Sequence, residues 1–172
     1  MTTTYRSDRL RRVGTVARVS GFTMMLLGAL SLLFSIMSPL TAEFAVSLAI
    51  LVLGVFEWRL GALLKKGQAE ASLRLALNQL AVAGVVTAYS IWKIVVTTDE
   101  AVAGLLSRPE IAPTLDLLDP VMRAEVMDRL PGAIRLAYLV IVPVVWMGCG
   151  GMAAYYYFKG RKGAAQGASE PS

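Results

Sequence analysis

Four apolar stretches, residues 19–40, 44–64, 75–96 and 136–158, take up most of this chain of 172 residues. Each is close to the ~20 residues that a helix needs to cross a bilayer. Hydrocarbon offers no water to backbone N–H and C=O groups, so a spanning segment must be a helix or part of a closed barrel. Continuous rather than alternating apolar runs select helices. The expected fold is all-α: a polytopic membrane protein built as an antiparallel four-helix transmembrane bundle, with short amphipathic helices in its third connection.

Composition narrows the chemistry. Hydrophobic residues make up 56% of the chain, above the share in ordinary soluble proteins, and what remains is too short for a second core. The organisation expected is a basic cytoplasmic N-terminal segment (1–18), a transmembrane domain (19–158) and a flexible cytoplasmic tail (159–172). There is no histidine, which removes the commonest proton shuttle and the commonest zinc and haem ligand. The one cysteine, Cys149, excludes an intramolecular disulfide or a thiol pair. It lies within the fourth apolar stretch, where a thiol is a small filler. No cofactor, metal or catalytic group is expected, and the chain is read as no enzyme and no nucleic-acid binder. Arg in preference to Lys, with abundant Ala, Leu, Val and Gly, points to a GC-rich bacterial source and hence an inner membrane.

Charge placement orients the spans. Arg6, Arg9, Arg11, Arg12 and Arg18 precede the first; Arg59, Lys65, Lys66 and Arg74 flank the second connection; Lys159, Arg161 and Lys162 follow the fourth. These are twelve of the 17 cations, and the positive-inside rule then places both termini in the cytoplasm. Tyr89 and Trp92 at one border, and Tyr155, Tyr156, Tyr157 and Phe158 at the other, read as interfacial aromatic belts. Within the basic segment, Ser7 is a candidate cap for a helix carrying Leu10, Val13 and Ala17 on one face and lying on the inner leaflet before the chain turns into span one. The other reading is a disordered basic tail.

The first two connections are short, about residues 41–43 and about ten residues after Leu64, which makes sequential helices antiparallel neighbours. The third, 97–135, is long enough for structure of its own. Thr97 with Glu100 suggests a capping box opening a helix over Asp99–Leu106. Pro109 and Pro113 interrupt it, and Asp119 with Pro120 announces a second helix over 119–130. Val121, Met122, Val126 and Leu130 form the apolar face of that candidate docking helix, against the membrane domain or a partner.

Gly84 with Ala88, and Gly148 and Gly150 with Ala154, offer small-residue notches for helix packing, and Pro143 should kink span four. Ionisable residues inside a span are functional candidates by default. Glu57 is the foremost, and Asn78 and Gln79 enter span three at comparable depth, giving a candidate intramembrane polar cluster. It serves either as interhelical hydrogen bonding, or as a path for protons or a polar ligand. A further structural option has Glu57 reach the inner surface to meet Arg18 or Arg74.

Two functions follow. One is a non-catalytic accessory, scaffold or assembly subunit, with the lipid bilayer and other membrane subunits, or copies of itself, as partners. The other is a small transporter or oligomeric channel using the polar cluster around Glu57.

Overall fold

The computed structural model describes residues 2–35, 42–109 and 111–168, and every regular element in them is a helix. In chain order these are α1 (Thr2–Ser35), α2 (Ala42–Lys65), α3 (Ala71–Val96), α4 (Asp99–Leu106), α5 (Ala112–Leu115) and α6 (Pro120–Ala168). Four of them are long and apolar enough to cross a membrane, over Asp8–Ser35, Ala42–Lys65, Ala71–Val96 and Pro120–Gly160. The chain is a multi-pass membrane protein by the length and composition of its helices.

Two helices are longer than the apolar pattern predicts. α1 begins at Thr2 and runs without a break into the first span, so Ser7 lies inside a helix and not at its cap. Leu10, Val13 and Ala17 do share a face, but they are at most 2% exposed and belong to the protein core. That burial replaces both the leaflet-bound helix and the disordered tail. α6 likewise joins the expected docking helix and span four into 49 continuous residues, with Pro131 and Pro143 inside it. Each proline leaves one carbonyl of the preceding turn without its intrahelical donor, a loss that helices of this length tolerate. α6 also extends past Phe158 to Ala168, where Lys, Arg, Ala and Gln favour a helix and Gly160, Gly163 and Gly167 oppose it. The expected flexible tail is therefore helical as far as Ala168, and residues 169–172 lie outside the described residues. So does Thr41 of the first connection, while Glu43 belongs to the first turn of α2.

The turn between α2 and α3 is built by its glycine. Gly67 adopts φ 86°, Gly67 N–H donates to Leu64 O at 3.0 Å and Gln68 N–H to Leu63 O at 3.2 Å. Both bonds satisfy last-turn carbonyls, in the paired pattern that a left-handed residue just past a helix end permits. The start of α4 is capped by Thr98, whose hydroxyl accepts from Ala101 N–H at 3.1 Å. The predicted helix bounds hold, but the cap is not Thr97, which is buried and whose N–H continues the α3 ladder to Lys93 O. Asp119 caps α6 as expected, accepting from Val121 N–H at 2.8 Å.

The chain forms two compact units, Met1–Val86 with Val145–Ser172, and Thr87–Val144. In the first, Leu10, Val13 and Ala17 of α1, Leu64 of α2, Ala71, Leu75 and Ala76 of α3, and Ala153 and Tyr156 of α6 make one core. In the second, Val102 and Leu106 of α4 pack with Ile111, Leu118, Val126, Leu130 and Ile134.

Where α1 meets α2, glycines replace side chains at seven-residue intervals. A Cβ at Gly14 would lie 2.6 Å from Gly61 O, one at Gly21 2.8 Å from Gly54 O, and one at Gly28 2.8 Å from Leu51 N. Ser47, seven residues before Gly54, is buried as well. Backbones approach this closely only where no side chain intervenes, and in lipid such van der Waals contact is a main source of helix association. The sequence reading placed the notches elsewhere. Gly84, Gly148 and Gly150 have nothing within 4 Å of a would-be Cβ, and Ala88 and Ala154 are exposed, so none of these five packs a helix within the chain. Pairing across α1 and α2 absorbs the small residues instead.

Candidate functional site

Glu57 sits two turns before the end of α2 and is 0% exposed. An ionised carboxylate accepts and never donates, so its burial requires donors on every side. The flanking helices supply them. Gln79 Nε2 on α3 lies 2.7 Å from each carboxylate oxygen, and Asn78 Nδ2 lies 3.4 Å from Oε2. Tyr156 on α6 donates its hydroxyl to Oε1 at 2.9 Å, and the Ser20 hydroxyl on α1 hydrogen-bonds the carboxyl group too. Asn78 Nδ2 also donates to Leu53 O at 3.2 Å, tying α3 to the backbone of α2. All four long helices thus contribute to one polar knot.

The local sequence explains each position. Residues 57, 61 and 64 share one stripe of α2 at helical spacing, so the stripe that carries Gly61 and Leu64 inward carries Glu57 with it. Asn78 and Gln79 follow Leu75 and Ala76 on the buried face of α3. Arg59, two positions on from Glu57, faces outward and is exposed. Ser20 precedes Gly21, whose lack of a side chain brings α1 against α2.

The structure brings together Glu57, Asn78 and Gln79, the cluster expected from sequence, and adds Tyr156 and Ser20. Tyr156, expected in an interfacial belt, is 0% exposed and stands in the core. Three successive tyrosines point about 100° apart around a helix, so a packed helix must turn one of them inward. Tyr155 and Tyr157 are half-buried and Phe158 is exposed, as a border requires. Glu57 does not pair with Arg18 or Arg74: Arg74 is exposed, and the Arg18 guanidinium stacks on Trp58 at 4.1 Å. Among the described residues no cation forms an ion pair with the carboxyl group.

The remaining candidates separate. Val126 and Leu130 pack on Val102 and Leu106 of α4, whereas Val121 and Met122 are 74% and 57% exposed. The face expected to dock as one is therefore split, because α4 covers only its later turns. The Lys93 ammonium lies 5.1 Å from the Trp92 ring and 5.7 Å from that of Tyr89. Tyr89 in turn stacks on Trp92 at 5.9 Å and meets Tyr138 edge-on at 6.0 Å. Among the described residues no three acidic or thiol side chains converge in a way that could hold a metal ion.

No protein-family model, no curated protein and no solved structure shows significant similarity to this chain.

Proposed function

We propose that this is a non-catalytic integral membrane protein, an accessory, scaffold or assembly subunit, in which the Glu57 cluster locks four antiparallel spans into one bundle. The observation that carries the reading is that every oxygen of the buried carboxyl group is occupied by donors from the same chain. A group held on three sides by fixed donors contributes to a unique packing, since a satisfied polar network specifies its partners. The contacts Gly14 with Gly61, Gly21 with Gly54 and Gly28 with Leu51 run in opposite chain directions, which supports the antiparallel arrangement. The crowding of cations before α1, around the turn after α2 and after Phe158 supports cytoplasmic termini in a bacterial inner membrane.

The test uses two replacements of one residue. Glu57→Gln keeps the size of the side chain and exchanges one acceptor oxygen for an NH2 donor, which Gln79 can meet by turning its amide to present its oxygen, so the protein should stay folded, with reconstituted liposomes showing no change in proton permeability. Glu57→Leu strands the donors of Gln79, Asn78 and Tyr156, and should unfold the protein in detergent at a cost of about 3 kcal/mol or more. If Glu57→Gln abolished a proton-coupled flux carried by the wild type while the fold survived, the transporter reading would replace this one. Orientation is checked separately in a Cys149→Ala background by placing single cysteines at Ser7, Ser107 and Ser169. An impermeant maleimide applied to intact cells should reach only the one at position 107.

A further inference from the structure

Beside the polar knot, on the outward face of α1 and α2, lies a groove of about 400 Å³ lined by Thr15, Arg18, Val19, Phe22, Trp58 and Lys65. Two cations converge there without an acid. Among the described residues no carboxylate pairs with Arg18 or Lys65. The Arg18 guanidinium carbon sits over the Trp58 ring, 4.1 Å from its centroid, a cation–π contact that consumes none of its N–H donors. Its Nε is buried and has no hydrogen-bond partner. A buried donor without an acceptor costs about 1–3 kcal/mol, so such a group marks a place where an acceptor belongs that the chain does not supply. The stem of Lys65 crosses α1 at Gly14, where a Cβ would meet its Cγ at 2.9 Å; a side chain there would push the lysine out of the groove.

The rest of the groove is apolar and open to lipid. Val19 and Phe22 are 62% and 55% exposed, and the Phe22 ring leans on Trp58 at 6.1 Å. Cations at one end and an exposed aliphatic and aromatic wall running on into the span match a phosphate head joined to an acyl chain. Free phosphate would use only the cationic end. The neighbouring turns add Arg11, Arg12 and Lys66, which raise the local positive potential that attracts anionic headgroups. We propose that this groove binds an anionic phospholipid, with the phosphate held by Arg18 and Lys65 and an acyl chain lying along Val19 and Phe22. The assignment is independent of any role for Glu57, whose side chain faces the opposite way into the core.

Trp58 reports on its own site. With Trp92→Phe and Trp146→Phe it is the only tryptophan, and the protein is reconstituted into vesicles carrying brominated phosphatidylglycerol or brominated phosphatidylcholine at equal mole fraction. Bromine quenches a ring it touches, so the wild-type groove should show the anionic lipid enriched over the zwitterionic one by about fivefold for each cation that holds it. Millimolar inorganic phosphate should leave that preference unchanged. Arg18→Gln with Lys65→Gln should remove most of the preference, leaving the smaller one that Arg11, Arg12 and Lys66 exert at a distance, while helical circular dichroism is retained. Lys65→Gln alone should lose part of the preference. Equal quenching in the wild-type groove, or an unaltered preference in the variants, would overturn the proposal. Loss of the preference in inorganic phosphate would reassign the groove to the free anion and overturn it equally.

Discussion

The two compact units of this chain are held together in different ways. In the unit formed by residues 1–86 and 145–172, α1 and α2 approach backbone against backbone at heptad glycines, and the buried side chains include a glutamate hydrogen-bonded to a glutamine and to a tyrosine. In the unit formed by residues 87–144, the buried members of the hydrophobic cluster among the described residues are Val102 and Leu106 of α4, and the ion pairs lie at the surface. Arg123 pairs with Asp116 at 2.7 Å, but the two side chains are 48% and 62% exposed. Arg135 reaches Thr97 O at 2.8 Å and so fastens the end of α3 to α6. Lipid tails are as apolar as leucine, so burying leucine between spans gains little, and close packing and hydrogen bonds must hold spanning helices together. The charge-dense segment from Asp99 to Arg129 can draw on hydrophobic burial instead, and it does so modestly.

That contrast can be broken by replacements graded in effect. Gly21→Leu should be the most damaging, because its side chain would meet the Trp58 and Gly54 backbone, which cannot rotate aside. A loss of about 3 kcal/mol is expected in reversible unfolding from mixed dodecyl sulfate micelles. If Gly21→Leu proved harmless while leucine at Gly84 was damaging, the assignment of the close face would be reversed. Tyr156→Phe keeps the ring but removes one donor from the Glu57 carboxyl group, and the same assay should register about 2 kcal/mol. Leu130→Ala tests the smaller core. Leu130 is only partly buried, so about 1 kcal/mol is expected, below the ~2 kcal/mol at which losses for fully buried leucines begin. Exchange of α4 amide protons, followed by mass spectrometry, should accelerate in that variant while the amides around Glu57 remain protected. Asp116→Asn should change unfolding by less than about 0.5 kcal/mol, since solvent screens so exposed a pair.

Particular residues mark how far the sequence could be read. The four spans follow from run length, and α4 and the start of α6 follow from local stop and start chemistry at Pro109, Asp119 and Pro120. Glu57, Asn78 and Gln79 were legible together because a short turn sets α2 beside α3 and few other polar residues lie at their depth. Tyr156 was not, since its bond to Glu57 spans 99 residues and depends on the rotation of α6, which no local pattern encodes. The glycine seam escaped for another reason. Four-residue spacing directs attention to Gly84 and Gly150, whereas Gly14, Gly21 and Gly28 recur at seven, the period of helices that stay in contact over many turns. Continuity of α6 through Pro131 was hidden as well, because a proline between an amphipathic stretch and an apolar one looks like a boundary.

The seam of glycines also bears on how the chain enters the membrane. α1 alone would offer lipid a face of bare backbone at Gly14, Gly21 and Gly28, with little side-chain surface for acyl tails to grip and five arginines at its leading end. Only when α2 has been synthesised does that face find its match. The two helices are thus suited to leave the insertion machinery as a closed hairpin, with α1 waiting for its partner, and a ribosome stalled between Ser35 and Gly54 would hold a first span that has not yet acquired its neighbour.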